Sequence, residues 1–404
     1  MSLMPVAVVS SHGAARVRAG HPWIFRQDIT RGPDSDAGSG GPSIVMVRDG
    51  RGKTLGVATW AARAKLGLRM LARGDQPLPD RDDLVALVAR RLEVARARRA
   101  DIGRNRDAYR VAHGESDGLP GLFVDCYGDA AVIQTTSVAM DAARADIAQL
   151  VRDSLGARLV VARDDGSARD FEGLPRFAGV VAGDGKTKVL YHLGANELEA
   201  DLLTDGKTGG FLDQAANHAV VAALAPPGAR CLDAFTYHGG FALALARRGG
   251  AVLATDEDPE AVARAAANAR RNGLDNLDVQ AHNAFDLLRE LEAARERFDV
   301  VVLDPPALAK RGAGSASALA AAERAYKELI LRGARLTNPG GILVACSCSG
   351  RMGRARWDEL CAEALGDAGR SGQVLARLGA GSDHPELIGV PETGHLKVWI
   401  LRML

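Results

Sequence analysis

Leu232–Asp233–Ala234–Phe235–Thr236–Tyr237–His238–Gly239–Gly240–Phe241 begins as an apolar run that ends in an acid. It passes through a turn holding two glycines and continues into an Ala/Leu-rich stretch, Phe241 to Arg248, with helical character. A strand, a glycine turn and a helix in that order form the unit that holds a nucleotide-like ligand at the carboxyl end of a strand. About twenty residues on, a second apolar run (Val252–Thr255) ends at Asp256, where an acid is placed to accept hydrogen bonds from a ribose. The G-x-G-x-x-G pattern of hydride-transfer cofactors is absent from this turn.

Working outward from this unit, strands are expected near 230–234, 251–255, 277–281, 298–303, 341–346, 374–379 and 396–402. Helices are expected at 241–248, 259–271, 284–295, 318–336 and 354–365. Such alternation predicts an α/β fold with a doubly wound parallel sheet and ligands at the carboxyl ends of its strands. The glycine turn, Asp256, Asn283, Asp304 and the Cys346/Cys348 pair all fall at those ends. Asn283 is placed either to meet an adenine edge or to cap the helix that follows it. Val300–Leu303 leads into Asp304–Pro305–Pro306, a stiff loop in which both prolines lack an N–H. There Asp304 can accept a hydrogen bond from an exocyclic base amine or, protonated, donate one to a ring nitrogen. An aromatic residue after the prolines would point to transfer onto an amino nitrogen, but Ala307 stands in that place.

Ile342–Ala345 leads into Cys346–Ser347–Cys348, whose thiols, two residues apart, share a face. A thiolate adding to C6 of a cytosine makes C5 nucleophilic toward a methylsulfonium, so this order of motifs points to S-adenosylmethionine and methyl transfer to a base. The other reading is a buried, inert cysteine pair, the usual state of free thiols. Cys126, Cys231 and Cys361 read as structural, in a loop, a strand and a helix. His384, in Asp383–His384–Pro385 after the sixth strand, either assists proton removal or orders its loop, and His238, in the glycine turn, is expected to shape the cofactor pocket.

The remainder of the 404 residues divides in two. Residues 1–75 read as short strands and Gly-rich turns (Pro5–Val9, Ile44–Val47, Leu55–Thr59, Leu66–Leu71), a small β-barrel-like module. This segment has eleven Lys/Arg against five acids, about +6 in a chain whose net charge is +1, which suits either a polyanion partner or a solvated surface. His21–Pro22–Trp23–Ile24–Phe25 is its aromatic patch and reads as core. Residues 76–195 hold a Pro-containing linker, Gln76–Asp80, a helical pattern from Asp82 to Ile102 and an α+β unit. The helix carries Arg90, Arg91, Arg96, Arg98 and Arg99, a set suited to RNA phosphates or to a solvated face. Lys207–Thr208–Gly209–Gly210–Phe211–Leu212–Asp213–Gln214 follows a strand. Its glycines allow close approach of a ligand and its polar side chains can contact one. Five cysteines with no C-x-x-C pair argue against disulfides or a zinc site and for a reducing, cytoplasmic setting. No signal-peptide pattern and no apolar run of membrane-spanning length is seen.

Taken together, His21–Pro22–Trp23–Ile24–Phe25, Gly114 to Gly128, Lys207–Thr208–Gly209, Phe211–Leu212–Asp213–Gln214 and Gly239–Gly240–Phe241 resemble the RlmI-type large-subunit ribosomal RNA methyltransferases. So do Asp304–Pro305–Pro306–Ala307, Tyr326–Lys327–Glu328, Cys346–Ser347–Cys348–Ser349 and Asp383–His384–Pro385. The resemblance covers nearly the whole chain. It implies a PUA-like RNA-binding domain (1–75), a linker helix and central α+β domain (76–195) and a Rossmann-like class I methyltransferase domain (196–404). It further implies S-adenosyl-L-methionine as cofactor, ribosomal RNA as partner and cytosine C5 as acceptor. The implied catalytic residues are Cys348, followed by Ser as in related enzymes, with Cys346 as the alternative, and Asp304. The implied cofactor site comprises Phe211, Asp213, Gln214, Asp233, Phe235, Tyr237, Gly239, Gly240, Asp256, Asn283 and Asp304. Several positions depart from the family pattern. Ala215 and His218 replace arginines, His238 replaces a threonine, Asn283 stands where Asp is common, and Ala307 stands where many cytosine-5 RNA enzymes carry a second cysteine.

Two other readings remain open on the sequence: a methyltransferase with another acceptor, such as a base amino group, another RNA or a small molecule, and a catalytically degenerate RNA-binding scaffold. No membrane partner is expected, and a homodimer is one option for the assembly.

Overall fold

Seven strands form the sheet that carries the site: β1 (Cys231–Asp233), β2 (Val252–Asp256), β3 (Leu277–Ala281), β4 (Phe298–Leu303), β5 (Thr337–Ser347), β6 (Gly372–Leu378) and β7 (Lys397–Met403). They lie in the order β3-β2-β1-β4-β5-β7-β6. Around them run α1 (Ala215–Leu224), α2 (Gly240–Ala246), α3 (Pro259–Arg271), α4 (Ala284–Ala293), α5 (Ala316–Leu336) and α6 (Arg354–Asp367). In this computed structural model the described residues are 4–33, 44–74, 83–104, 106–308 and 316–404. The expected linker Gln76–Asp80 and the Gly-rich stretch Gly38–Gly41, which the sequence suggests is a turn, lie outside them.

Strand alternation sorts the apolar residues into two cores, one on each face of the sheet. Leu232, Val301, Leu303, Leu343 and Ala345 pack with Leu288 of α4, Tyr326, Leu329 and Ile330 of α5 and Trp357 of α6. Cys231, Val300, Val302, Ile342, Val344 and Cys346 pack with Val221 of α1 and Phe241 and Leu245 of α2. Helix starts follow from local chemistry. Asp258 accepts the Glu260 N–H ahead of Pro259, and Asn283 accepts the N–H groups of Phe285 and Asp286. One strand departs from the expected all-parallel sheet. β1 through β5 pair in parallel, whereas β7 runs antiparallel to both neighbours. The segment joining β6 to β7 contains no crossover helix, only the short 3₁₀ turn Pro391–Thr393, so the chain re-enters the sheet reversed.

By compactness the chain divides into two units, Met1–Tyr191 with Ala200–Gly210 and Asp383–Thr393, and His192–Glu199 with Phe211–Ser382 and Gly394–Leu404. The backbone therefore passes from one unit to the other five times.

In the first unit, a six-stranded, nearly closed sheet (residues 6–9, 23–25, 29–31, 44–49, 54–60 and 66–73) surrounds a core of Ala7, Val9, Val17, Ile24, Val47 and Leu68. A five-stranded sheet (108–113, 122–127, 130–135, 159–164 and 177–183) packs its own core with the helices Leu84–Arg98 and Arg144–Leu155. Cys126 lies in the strand Leu122–Tyr127, not in a loop as the sequence suggested. The Gly114–Gly128 stretch, which had no chemical role in the sequence reading, anchors this unit. Glu115 accepts from Trp23 Nε1 (2.7 Å) and Arg69 (3.0 Å). Asp117 pairs with Arg99 (2.7 Å), and Asp125 with Arg110 (2.7 Å). The Arg-rich helix is only partly a basic face. Arg91 donates to the carbonyls of Leu71 and Gly118, and Arg99 is buried on Asp117 and the Asp383 carbonyl.

Candidate active site

The carboxyl end of β1 delivers Asp233 into full burial, where neither carboxylate oxygen has a hydrogen-bond partner of normal geometry. Burial pushes its carboxyl up to about 7, and the charge of Asp256 adds to the rise. Asp256, at the end of β2, shapes the glycine turn by accepting the N–H groups of Tyr237 (2.9 Å) and Asp258 (3.1 Å). Tyr237 takes a left-handed backbone (φ 49°) and Gly239 another (φ 93°), so the chain reverses tightly into α2. Tyr237 stacks on His238 (centroids 3.7 Å apart, planes 11° apart), and Phe211 meets its edge at 4.9 Å. Phe211, Phe235 and Tyr237 are all half-buried.

His238 is buried, and that burial, with the positive charge of Arg264, pushes its pKa down to about 3, so the imidazole stays neutral. His218 packs edge-on to Phe241 at 4.4 Å and fills the space over Gly240, where a Cβ would come within 2.7 Å of Nε2. Asn283 is exposed and serves as the α4 cap, its amide reaching Glu257 (3.3 Å).

The end of β5 brings the two thiols beside these groups. Cys346 is buried, and burial pushes its thiol well above the ordinary value; the Asp304 carboxylate adds to this, while the Gln214 amide pulls the other way. Cys348 and Asp233 act on it in the same sense as Asp304, so Gln214, Asp233, Asp304, Cys346 and Cys348 converge on one place. Cys348 alone among the five cysteines is not buried. Burial pushes the thiols of Cys126, Cys231 and Cys361 up to about 12.

Asp213 and Gln214 are buried just ahead of α1. Asp213 meets His395 Nε2 (3.1 Å), and Gln214 Oε1 accepts from Asn217 (2.6 Å), leaving Gln214 Nε2 without a hydrogen-bond partner of normal geometry.

Sequence reasoning missed the groups that hold these residues. Tyr326 of α5 meets the Ser349 hydroxyl (2.8 Å) and accepts the Leu308 N–H at the far end of the Asp304 loop (3.5 Å). Lys397 of β7, buried, donates to the carbonyls of Ser349 (2.7 Å) and His395 (2.9 Å). The available signal was a lysine heading the apolar run Val398–Trp399–Ile400–Leu401. His384 is buried in the first unit against His113 (5.3 Å), next to Asp383, which pairs with Arg106 (2.6 Å).

No group of three or more His, Cys, Asp or Glu among the described residues is arranged to hold a metal, and none of the described helices is long and apolar enough to cross a membrane. Asp233, Thr236 and Gln214 are buried polar residues on the same two stretches, 211–214 and 233–237, that carry the half-buried Phe211, Phe235 and Tyr237. That donor and acceptor set suits a ligand with a flat purine, ribose hydroxyls and a charged amino-acid end, as S-adenosylmethionine has.

Comparison with known proteins agrees. Residues 226–373 match a methyltransferase domain family and residues 8–73 a PUA-like domain family. The ribosomal RNA large subunit methyltransferase I of Aeromonas hydrophila is 35% identical over 95% of this chain and 95% of its own. That of Klebsiella pneumoniae is 31% identical over 100% and 99%. A candidate SAM-dependent methyltransferase from Streptococcus mutans shares the fold at a TM-score of 0.79, with 17% identity over 99% of this chain and 100% of that one. A solved candidate methyltransferase complexed with SAH gives a TM-score of 0.80 at 18% identity, covering 99% and 100%. With its PUA-like domain ahead of an S-adenosylmethionine-dependent methyltransferase domain, the chain belongs to the ribosomal RNA large subunit methyltransferase I family.

Proposed function

We propose that the chain methylates C5 of a cytosine in large-subunit ribosomal RNA, with Cys348 as the nucleophile. The observation that carries this reading is the contrast between the two thiols. Cys346 is sealed in the core and held protonated, whereas Cys348, two residues on at the same strand end, keeps access to solvent. The names of the relatives support ribosomal RNA as the substrate. The basic segment 1–75, with 76–195 as the connecting region and 196–404 as the catalytic region, supports RNA capture by the N-terminal module.

In this reading Phe211, Phe235 and Tyr237 bind the adenosine part of the cofactor, with Gly239 and Gly240 permitting close approach. Asp233, Asp256, Asp213, Gln214 and Asn283 offer the polar contacts. The bound cofactor supplies an electrophilic methyl on a sulfonium. Asp304, stiffened by Pro305 and Pro306, holds the cytosine by its exocyclic amine or ring nitrogen. The Cys348 thiolate forms a bond to C6, which makes C5 nucleophilic. After methylation a base takes the C5 proton, the C5–C6 double bond re-forms and the sulfur leaves C6. With Ala307 in the Asp304 loop, that base is not a cysteine at this position.

The test is methyl transfer from labelled S-adenosylmethionine to unmodified large-subunit ribosomal RNA, with the product nucleoside identified by mass spectrometry. We expect 5-methylcytidine, loss of at least about 10³-fold in rate for Cys348→Ala, and retained activity for Cys346→Ala. Full activity in both single variants and in the double variant would reject the thiol mechanism and point to an amino-group acceptor.

A further inference from the structure

We propose that the first unit holds single-stranded RNA on Phe171 and Phe177, whose rings stack its bases, with Arg63 and Lys65 beside them for its phosphates. The inference rests on the reading of RNA as substrate and gives it a surface that reaches beyond the N-terminal barrel.

The chain has nine Phe, five Tyr and four Trp residues, and of these only Phe171 and Phe177 are exposed, at 44% and 37%. They stand six residues apart. Phe171 ends the 3₁₀ turn Ser167–Phe171, and Phe177 opens the edge strand Phe177–Gly183 of the five-stranded sheet. The loop between them is closed on itself. Arg169 Nε donates to the Pro175 carbonyl (2.8 Å), and Arg176 meets both carboxylate oxygens of Asp170 (2.7 and 3.3 Å). The residues just before the two phenylalanines are therefore joined to each other. An apolar ring left in water forgoes the gain of burial, and two such rings in one loop call for an occupant.

Each ring already carries a cation. Lys65 Nζ lies 5.2 Å from the centre of the Phe171 ring, and Arg144 Cζ lies 4.5 Å from that of Phe177. Lys65 comes from the barrel, between its strands 54–60 and 66–73, and its N–H donates to the Phe171 carbonyl (3.3 Å). Arg144 begins the helix Arg144–Leu155 and is anchored on Asp141 (3.0 Å) and Asp164 (3.2 Å). Gly179 gives the Phe177 ring its room, since a Cβ there would come within 2.9 Å of Cζ. Both rings are thus oriented before any ligand arrives, which lowers the cost of binding one.

The charges around the rings decide the partner. The nearby acids are engaged by arginines: Asp170 by Arg176, Asp141 and Asp164 by Arg144, Asp165 by Arg163 and Glu172 by Arg69. Arg63 and Lys65 are exposed, and neither has an acid partner among the described residues. A single strand answers both features, because its unpaired bases stack on aromatic rings while its phosphates meet the free cations. A duplex keeps its base faces within its own stack and gains nothing from the rings. A twofold contact between copies through this patch would bring the same cations together, which like-charge repulsion disfavours.

The test follows, by fluorescence anisotropy, the binding of a labelled single-stranded RNA of about 12 nucleotides, a length that single-strand binders cover, to the full-length protein. Replacing both rings, Phe171→Ala with Phe177→Ala, should weaken binding at least about 5-fold with the thermal midpoint unmoved. Phe171→Trp with Phe177→Trp should keep it. Lys65→Gln should flatten the dependence of log K on log salt by about 0.7. In methyl transfer to unmodified large-subunit ribosomal RNA, the double alanine variant should raise KM and leave kcat in place, since these rings hold substrate and transition state alike. Photocrosslinking of the wild type to the same probe should place nucleotides on the peptide carrying Phe171 or Phe177. Unchanged affinity in the double alanine variant overturns the proposal. So do crosslinks confined to other peptides, even if the variants do not fold. A wild-type dimer that the alanine variant converts to a monomer overturns it as well and assigns the face to a second copy. If the wild type methylates ribosomal RNA and the alanine variant does so with the same KM, only this surface is lost. If the wild type neither binds nor methylates RNA, the reading of RNA as substrate falls and the surface with it.

Discussion

Asp233 and His238 stand five residues apart, and burial moves both toward their neutral forms. The consequences for stability run in opposite directions with pH. For Asp233, raised to about 7, the native state holds a proton that the unfolded chain has already released, so stability falls as pH rises from about 4 to 7. For His238, lowered to about 3, the unfolded chain takes up a proton first, so stability falls as pH drops from about 6.5 toward 3. Asp233→Asn removes the ionisation of the first group. Its gain over wild type in denaturant unfolding should be small at pH 4. It should grow by up to about 1.4 kcal/mol per pH unit to pH 7 and then level off. The same variant should bind S-adenosylmethionine more weakly, as seen by calorimetry. A gain that is flat across pH 4–8 would show that Asp233 is ionised throughout. The sequence made Asp233 legible as an acid ending a strand. It could not show that the carboxyl is fully buried, because that depends on how β2 and α2 pack around it.

The turn between β1 and α2 has no room over Gly240, because His218 of α1 occupies it. Gly240→Ala should therefore destabilise the protein by about 1–3 kcal/mol and weaken cofactor binding. Combining it with His218→Ala should restore part of the loss, a coupling above about 0.5 kcal/mol by double-mutant cycle. Strict additivity would mean that the two residues do not share the space. At this scale the elements of residues 231–403 were legible to within about four residues at each end, since α3 and α4 carry capping side chains at their starts and β4 is an apolar run, whereas the reversal of β7 was not. The misses have physical reasons. Gly118–Leu119–Pro120–Gly121 reads as a turn and hides the strand Leu122–Tyr127 directly behind it. The helix Ser11–Arg18 carries two arginines and a glycine in eight residues, which weakens its apolar pattern. Lys397 and Tyr326 gain their meaning from Ser349, which lies 48 and 23 residues away along the chain.

The five crossings between the two units mean that neither is a continuous stretch of chain. Asp383 accepts the Arg110 N–H (3.1 Å) and pairs with Arg106 (2.6 Å), while its carbonyl accepts from Arg99, all within the first unit. A fragment of residues 1–191 lacks Asp383, so it leaves Arg106 without its carboxylate and Arg99 without the Asp383 carbonyl, a loss on the order of 3–5 kcal/mol. We expect such a fragment to melt well below the full chain in a thermal scan; an unchanged midpoint would show that Asp383 is dispensable to that unit. The arrangement also sets a schedule for synthesis. The Arg99 guanidinium emerges early but waits for a carbonyl 284 residues later. The N-terminal unit is therefore finished only when translation has passed residue 393, after most of the catalytic sheet exists. Contacts so far apart along the chain fold slowly. During that wait Arg99 and Arg110 already have Asp117 and Asp125, but the Arg106 charge stands without Asp383, the acid that pairs with it in the finished unit.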